Sequence, residues 1–287
     1  MNLKEYPRPH YAINQFTQPH CTELCGKKFH FVMDNGFDVD LDFTGPDTVN
    51  WSIGGSEPKE ATYECLKGDE TTYLVDYDVR ETLDTDHRTN HLFVIDLEQR
   101  LVTKVICSIG DNPRFPYLVK SEYDFGAIET EGHELTFIRH CFTTDMVGTR
   151  VEWHWNTSMR THHNYFSAPF YRLTWPEDSS SEDEIGEPFQ FLPSHDEVSR
   201  YIKIKDKMYL YCLTEELQER VLNGKCPFRS NNMIFLQNYE RMRHVGRTFG
   251  SIEIKGKVVP CRTLFGAFGN PLELPEKELT AYNAFTV

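Results

Sequence analysis

The chain has 287 residues, 39% of them hydrophobic and 13% aromatic, enough to bury the core of one large domain or of two small ones. A net charge of −14, with no Lys/Arg stripe interleaved with aromatics, argues against a nucleic-acid partner. Eight cysteines without a C-x-x-C pair and a start, MNLKEYPRPH, that lacks an apolar signal core point to free thiols and a cytoplasmic location. No apolar run is long enough to cross a bilayer, so no membrane partner is expected.

Residues 1–23 read as an N-terminal arm, and the first regular element is Gly26-Lys-Lys-Phe-His-Phe-Val-Met33. Asp34-Asn-Gly36 then signals a hairpin, because Asn-Gly readily supplies the positive φ angles of a tight turn. In Phe37-Asp-Val-Asp-Leu-Asp-Phe43 the apolar residues Phe37, Val39, Leu41 and Phe43 fall on one face and three aspartates on the other, the pattern of a strand with one wet face. Tyr73, Val75, Tyr77 and Val79 alternate in the same way with Leu74, Asp76 and Asp78, whereas Leu92-Phe-Val-Ile95 is apolar on both faces and reads as more deeply covered.

The second half repeats the first. TYECLKGDETTYLVDYDV (62–79) and NHLFVIDLEQRLVTKVICSIG (90–110) answer to RYIKIKDKMYLYCLTEE (200–216) and NNMIFLQNYERMRHVGRTFG (231–250). Upstream, Gly26–Met33 resembles Gly148-Thr-Arg-Val-Glu-Trp-His-Trp155, and Thr48-Val-Asn-Trp51 resembles Arg172-Leu-Thr-Trp175. Matched blocks in one order imply a duplicated unit. The connection that differs most carries an acidic stretch, 177–187, with six acidic residues and no basic one, and predicts a mobile, solvated loop at 176–198. The best helix signal, Leu213–Gly224, predicts one short helix on a strand connection, with Thr214 as cap and Gly224 as stop. Each copy then holds about six to eight strands, and a sheet of that size loses its exposed edges by closing. The expected fold is all-β: two consecutive antiparallel β-barrels with few short helices. Their expected bounds are 24–125 and 126–255, followed by a C-terminal extension, 256–287.

GKKFHFVMDNGFDVDLDF, YLVDYDV, HLFVIDLEQ, DMVGTRVEWHW, HHNYF, YIKIKDKMYLY and VGRTFG resemble the MoaF-like proteins, the family of the molybdenum-cofactor-biosynthesis protein F, over roughly residues 24–110 and 146–252. That resemblance implies two lipocalin-like, calycin-type barrels. Family members place Glu-His-x-Tyr before Tyr-Thr-Trp in the second barrel. Here His163, Tyr165 and Trp175 match, while His162 and Leu173 replace the Glu and the first Tyr. The resemblance further implies natural-product (secondary metabolite) pathways, in which calycin-type barrels act on small polyketides or terpenoids without a cofactor.

The second copy concentrates Trp153, Trp155, His163, Tyr165, Tyr171, Trp175, Tyr209 and Tyr211. Rings with polar tips suit a flat, oxygenated substrate, the rings giving apolar contact and the OH and imidazole groups fixing orientation; the alternative is ordinary barrel core. His163 is the acid/base candidate, since imidazole titrates near neutral pH and Tyr165, two residues on, shares its strand face. Arg139 is the candidate to hold a carboxylate or enolate, against the alternative of an exterior ion pair. His162 and His163 diverge on a strand, and no H-x-H, H-E-x-x-H, dinucleotide-loop or G-x-S-x-G pattern supports a metal, nucleotide cofactor or serine nucleophile. The expectation is therefore a cofactor-free isomerase or cyclase that moves protons within a barrel. The alternatives are a non-catalytic carrier of the same small-molecule class and a phenolic-acid-type decarboxylase, and a homodimer is left open.

Overall fold

The computed structural model describes residues 13–82, 87–110, 113–114, 116–177, 179, 195–214, 228–254 and 256–273. Alternating sequence becomes strand almost throughout. Among the described residues the one helical element is a 3-10 turn, Arg80–Thr82. The expected helix falls mostly on 215–224, outside the described residues, as does most of the acidic loop; His195–Val198, assigned to that loop, instead opens a strand.

Eight strands form a closed antiparallel meander: β1 (Lys28–Met33), β2 (Val39–Asp42), β3 (Thr48–Ile53), β4 (Lys59–Lys67), β5 (Thr72–Asp78), β6 (Arg88–Asp96), β7 (Leu101–Ile109) and β8 (Lys120–Ile128). The barrel closes where Phe31, Val32 and Met33 pair with Ile128, Ala127 and Gly126. The Asn-Gly hairpin forms as expected, with Gly36 at φ 78° and its amide bonded to Met33 O at 3.0 Å. Val39, Leu41 and Phe43 enter the core, but Phe37 does not: it lies before β2 begins and is 60% exposed. The alternation expected of β5 is also absent from its burial, since every residue of Thr72–Asp78 is buried. Asp78 is held there by Arg88 (3.2 Å) and Asn90 (3.0 Å), which supply the partners a buried carboxylate needs.

The second meander repeats the first strand for strand: β10 (Thr149–His154), β11 (Arg160–Tyr165), β12 (Phe170–Thr174), β13 (His195–Lys205), β14 (Met208–Thr214), β15 (Phe228–Asn238), β16 (Arg243–Ile254) and β17 (Lys257–Leu272). β10 pairs with β17 and β12 with β13, so this barrel too has eight strands, while the short β9 (Cys141–Phe142) lies beside β13. β17, expected as a C-terminal extension, is therefore the longest strand of the second barrel, because without it β10 and β16 would face each other as open edges. The N-terminal arm likewise divides. Ile13 joins the second barrel's core and its carbonyl accepts from Gly266 N (3.4 Å), whereas Cys21 N donates to Cys65 O (2.8 Å) in the first. The compact units are 18–141 with 202–206, and 1–17 with 142–201 and 207–287. The seven described cysteines are free thiols. No helix among the described residues is long and apolar enough to cross a membrane.

Candidate functional site

Two pairs of backbone landmarks set the two barrels in register. Gly26 and Gly148, both at positive φ (80° and 91°), donate their amides to Phe43 O and Tyr165 O at 2.7 Å. Arg100 and Met242, at φ 58° and 45°, follow turns in which Asp96 and Asn238 accept two backbone amides each. Counting along the strands from these points places Tyr165 where the first barrel has Phe43, and His163 where it has Leu41. By the same count Gln237 replaces Ile95 and His244 replaces Val102. All eight are buried. One backbone thus carries an apolar filling at these positions in the first copy and a polar one in the second. The ladder also corrects the repeat as read from sequence: Leu173 opposes His163 as Trp51 opposes Leu41, so Trp175 does not occupy the place of Trp51 but lies just past the end of β12.

The four polar residues share one ring-lined interior. Tyr165 receives hydrogen bonds on its phenol oxygen from Trp153 Nε1 (3.3 Å) and Gln237 Nε2 (2.9 Å), which leaves its own proton directed to His163 Nδ1 at 3.4 Å. In the tautomer that accepts this proton at Nδ1, Nε2 of His163 carries the imidazole proton. Burial keeps this imidazole neutral, its pKa lowered to about 3, and pushes the Tyr165 phenol up to about 12 against the lowering effect of Gln237 and Trp153. The near-neutral titration expected of His163 does not hold, because no counter-charge offsets its desolvation. Trp155 donates to Thr161 Oγ1 (2.8 Å) and lies 6.3 Å from the His163 ring, while Tyr171 and Tyr211 flank it at 5.2 and 6.2 Å.

His244 is the residue that sequence reasoning missed. Its ring sits edge-to-face between Trp153 (4.4 Å) and Trp155 (5.0 Å) and against Phe235 (5.1 Å). Both its nitrogens are buried without a hydrogen-bond partner, as is Oε1 of the neighbouring Gln237, which faces His244 across the β15–β16 ladder. Burial holds its pKa well below the ordinary value. A sequence signal existed: once the Asp96 and Asn238 turns are aligned, His and Gln fall on inward positions that are Val and Ile in the other copy.

The remaining expected residues divide. Trp153, Trp155, Tyr171 and Tyr211 belong to the second barrel's buried core with Tyr165, and Trp175 and Tyr209 pack against it half-buried. Arg139 belongs to the first unit and is engaged on Asp34 (2.8 Å), Thr136 O (2.6 Å) and Ile138 O (2.8 Å), the ion-pair alternative. His162 diverges from His163 as expected, bonding Glu152 (2.9 Å), to which His154 also bonds (2.8 Å). Among the described residues no three His, Cys, Asp or Glu converge as metal ligands. The first barrel has an imidazole of its own, His91, whose Nδ1 meets the Tyr77 hydroxyl at 3.2 Å beside Trp51, and burial lowers its pKa to about 4. A separate open depression of about 600 Å³ lies among Phe142, Thr143, Thr144, Ala168, Pro169, Arg200 and Tyr201. Its polar groups are already engaged, Tyr201 on Phe170 O (3.0 Å) and Arg200 on Ser199 O (2.9 Å).

Residues 11–111, which include the first barrel through β7, match the family model described as the MoaF N-terminal domain. No curated protein matches the chain.

Proposed function

We propose, starting from the match of residues 11–111 to the MoaF N-terminal domain, that the second barrel is a cofactor-independent isomerase or cyclase for a small conjugated intermediate of polyketide or terpenoid type in secondary metabolite biosynthesis. The observation that carries this reading is the replacement of Leu41, Phe43, Ile95 and Val102 of one barrel by His163, Tyr165, Gln237 and His244 of the other. The first copy fills these four positions with apolar side chains. Buried polar groups in that place cost stability and are retained where they have work to do.

The chemistry follows from the tautomer. His163, with Nδ1 turned to Tyr165, presents Nε2–H as a donor in a water-poor setting, where one hydrogen bond to a developing enolate oxygen counts for more than it would in water. Tyr165, fixed by Trp153 and Gln237, holds that tautomer. Trp155, Tyr171 and Tyr211 offer faces and edges to a planar substrate. Moving a proton within such a molecule changes neither its mass nor its oxidation state, so the reaction needs no redox cofactor.

The test adds purified protein to an extract of producing cells that lack it. An accumulated compound is expected to convert to an isomer of unchanged mass, and His163→Ala is expected to slow that conversion by ~10²-fold or more with little change in affinity. If the compound binds but is returned unchanged at every pH between 5 and 9, the protein is a carrier. In that case Trp153→Ala is the substitution that weakens it.

A further inference from the structure

An imidazole surrounded by four aromatic rings is an unusual filling for a barrel. His244 makes ring contacts with Trp153, Trp155, Phe235 and Phe265 at 4.4 to 5.7 Å and leaves both nitrogens unbonded. Gln237, which replaces Ile95, bonds Tyr165 through its nitrogen and leaves its oxygen unbonded. A neutral imidazole has one donor and one acceptor nitrogen, and a buried group left without partners forfeits the hydrogen bonds it had in water. A structural histidine would be expected to have at least one of its nitrogens satisfied. Those three atoms match a ligand that supplies a donor and an acceptor of its own.

His163 and His244 flank the same pair of rings, at 6.3 and 5.0 Å from Trp155 and at 6.1 and 5.1 Å from Phe235. His163 has Tyr165 at its Nδ1, and in the tautomer that accepts there it serves as donor through Nε2. His244 has no fixed tautomer, so its nitrogens can exchange donor and acceptor roles. Resting on the isomerase reading above, we propose that His244 is the catalytic base of this site and that its substrates are ketones with an acidic C–H on a carbon conjugated, or able to become conjugated, with the carbonyl. His244 takes the carbon-bound proton, and the C–H electron pair moves through the carbon framework onto the carbonyl oxygen. The resulting enolate oxygen accepts from His163 Nε2–H. The imidazolium then returns the same proton to a carbon further along the conjugated system, so atoms and charge balance within the complex. Gln237 Oε1 is placed to accept from a hydroxyl on the substrate. Burial, which disfavours the imidazolium, is offset during the reaction by the enolate's charge.

The test uses the full chain and 1-phenylbut-3-en-1-one, a β,γ-unsaturated aryl ketone whose conversion to the conjugated isomer is followed by ultraviolet absorbance, with binding read from tryptophan fluorescence. The variant is His244→Val, the residue that the first barrel holds at this position and so one its backbone accommodates. The expected result is a melting temperature at or above that of the parent, probe binding within about threefold, and isomerisation slowed by ~10²-fold or more. Gln237→Ile, its companion, is expected to weaken a hydroxylated probe by a larger factor than the unhydroxylated one. His244→Val isomerising at the parental rate while His163→Ala is inactive overturns the assignment of the base and leaves the isomerase reading standing. A parent protein that binds the probe and never isomerises it overturns both the substrate class and the base. A fall in melting temperature of His244→Val with activity retained makes the imidazole structural and also overturns the proposal.

Discussion

Tyr165 shows how much one hydroxyl can organise. Two N–H donors, from Trp153 and Gln237, converge on its oxygen, and its proton faces His163, so the phenol orients three side chains from three different strands. Tyr165→Phe keeps the ring and removes the acceptor, leaving two buried N–H groups without it. A destabilisation of roughly 1–3 kcal/mol is expected in urea unfolding, because an unmet buried donor forfeits its solvation. Conversion should also slow, since His163 loses the partner that holds its tautomer. Unchanged stability in this variant would mean that the converging bonds carry no energy. That His163 and Tyr165 share a face was legible from their spacing of two on a strand. The low pKa of His163 was not, because it depends on how deeply the closed barrel buries the ring.

Among the elements, β10, β16 and β17 set the shape of the site through two glycines. A Cβ on Gly246 would lie 2.1 Å from Ile234 O and 2.5 Å from the Phe265 ring, and one on Gly269 would lie 2.6 Å from the Trp153 ring. Neither position requires a special φ; what each requires is space for a neighbouring ring. Gly246→Ala meets backbone, which cannot yield, so a loss on the order of 3 kcal/mol or more is expected by denaturant unfolding. Gly269→Ala meets side chains first, the Trp153 ring and Val151 Cγ1 at 3.0 Å. It is expected to destabilise less, by roughly 1–2 kcal/mol, while displacing the indole N–H from Tyr165, which a change in tryptophan fluorescence would register. Equal stability losses in the two variants would contradict this distinction between backbone and side-chain contact. The strands themselves were readable as period-two alternation, and their order as a repeat. β17 was not, because its partners β10 and β16 are needed to recognise it as the closing strand.

Across the whole molecule the buried imidazoles set its response to acid. His163 and His91 are held to about 3 and about 4, and His140 and His244 are also lowered, each chiefly by desolvation. In the unfolded chain each binds a proton below its ordinary value near 6.5, whereas in the folded chain it does so only below its lowered value. Between those limits the unfolded state holds more protons, so stability falls as pH falls, by up to ~1.4 kcal/mol per pH unit for each such histidine. Above about 6.5 their contribution is complete. His30, raised by Asp40, acts in the opposite sense at a more exposed position. The melting temperature is therefore expected to be level from pH 8 to 7 and to drop steeply from pH 6 to 4. A level profile down to pH 4.5 would show that these rings are not buried as neutral groups.

By itself the sequence determined the all-β class, the duplication and the two-barrel organisation, because period-two alternation and repeated spacing are properties of the chain that need no partner. It also determined that the second copy carries the rings and the His163 and Tyr165 pair. Tertiary structure decided which residues meet. Tertiary register set Leu173 rather than Trp175 opposite His163, engaged Arg139 on Asp34, brought Gln237 from β15 to the Tyr165 phenol on β11, and brought His244 from β16 to the Trp153 ring on β10. Apart from the Leu173–His163 pair, those meetings join residues more than seventy positions apart, and neither alternation nor spacing encodes them; barrel closure does.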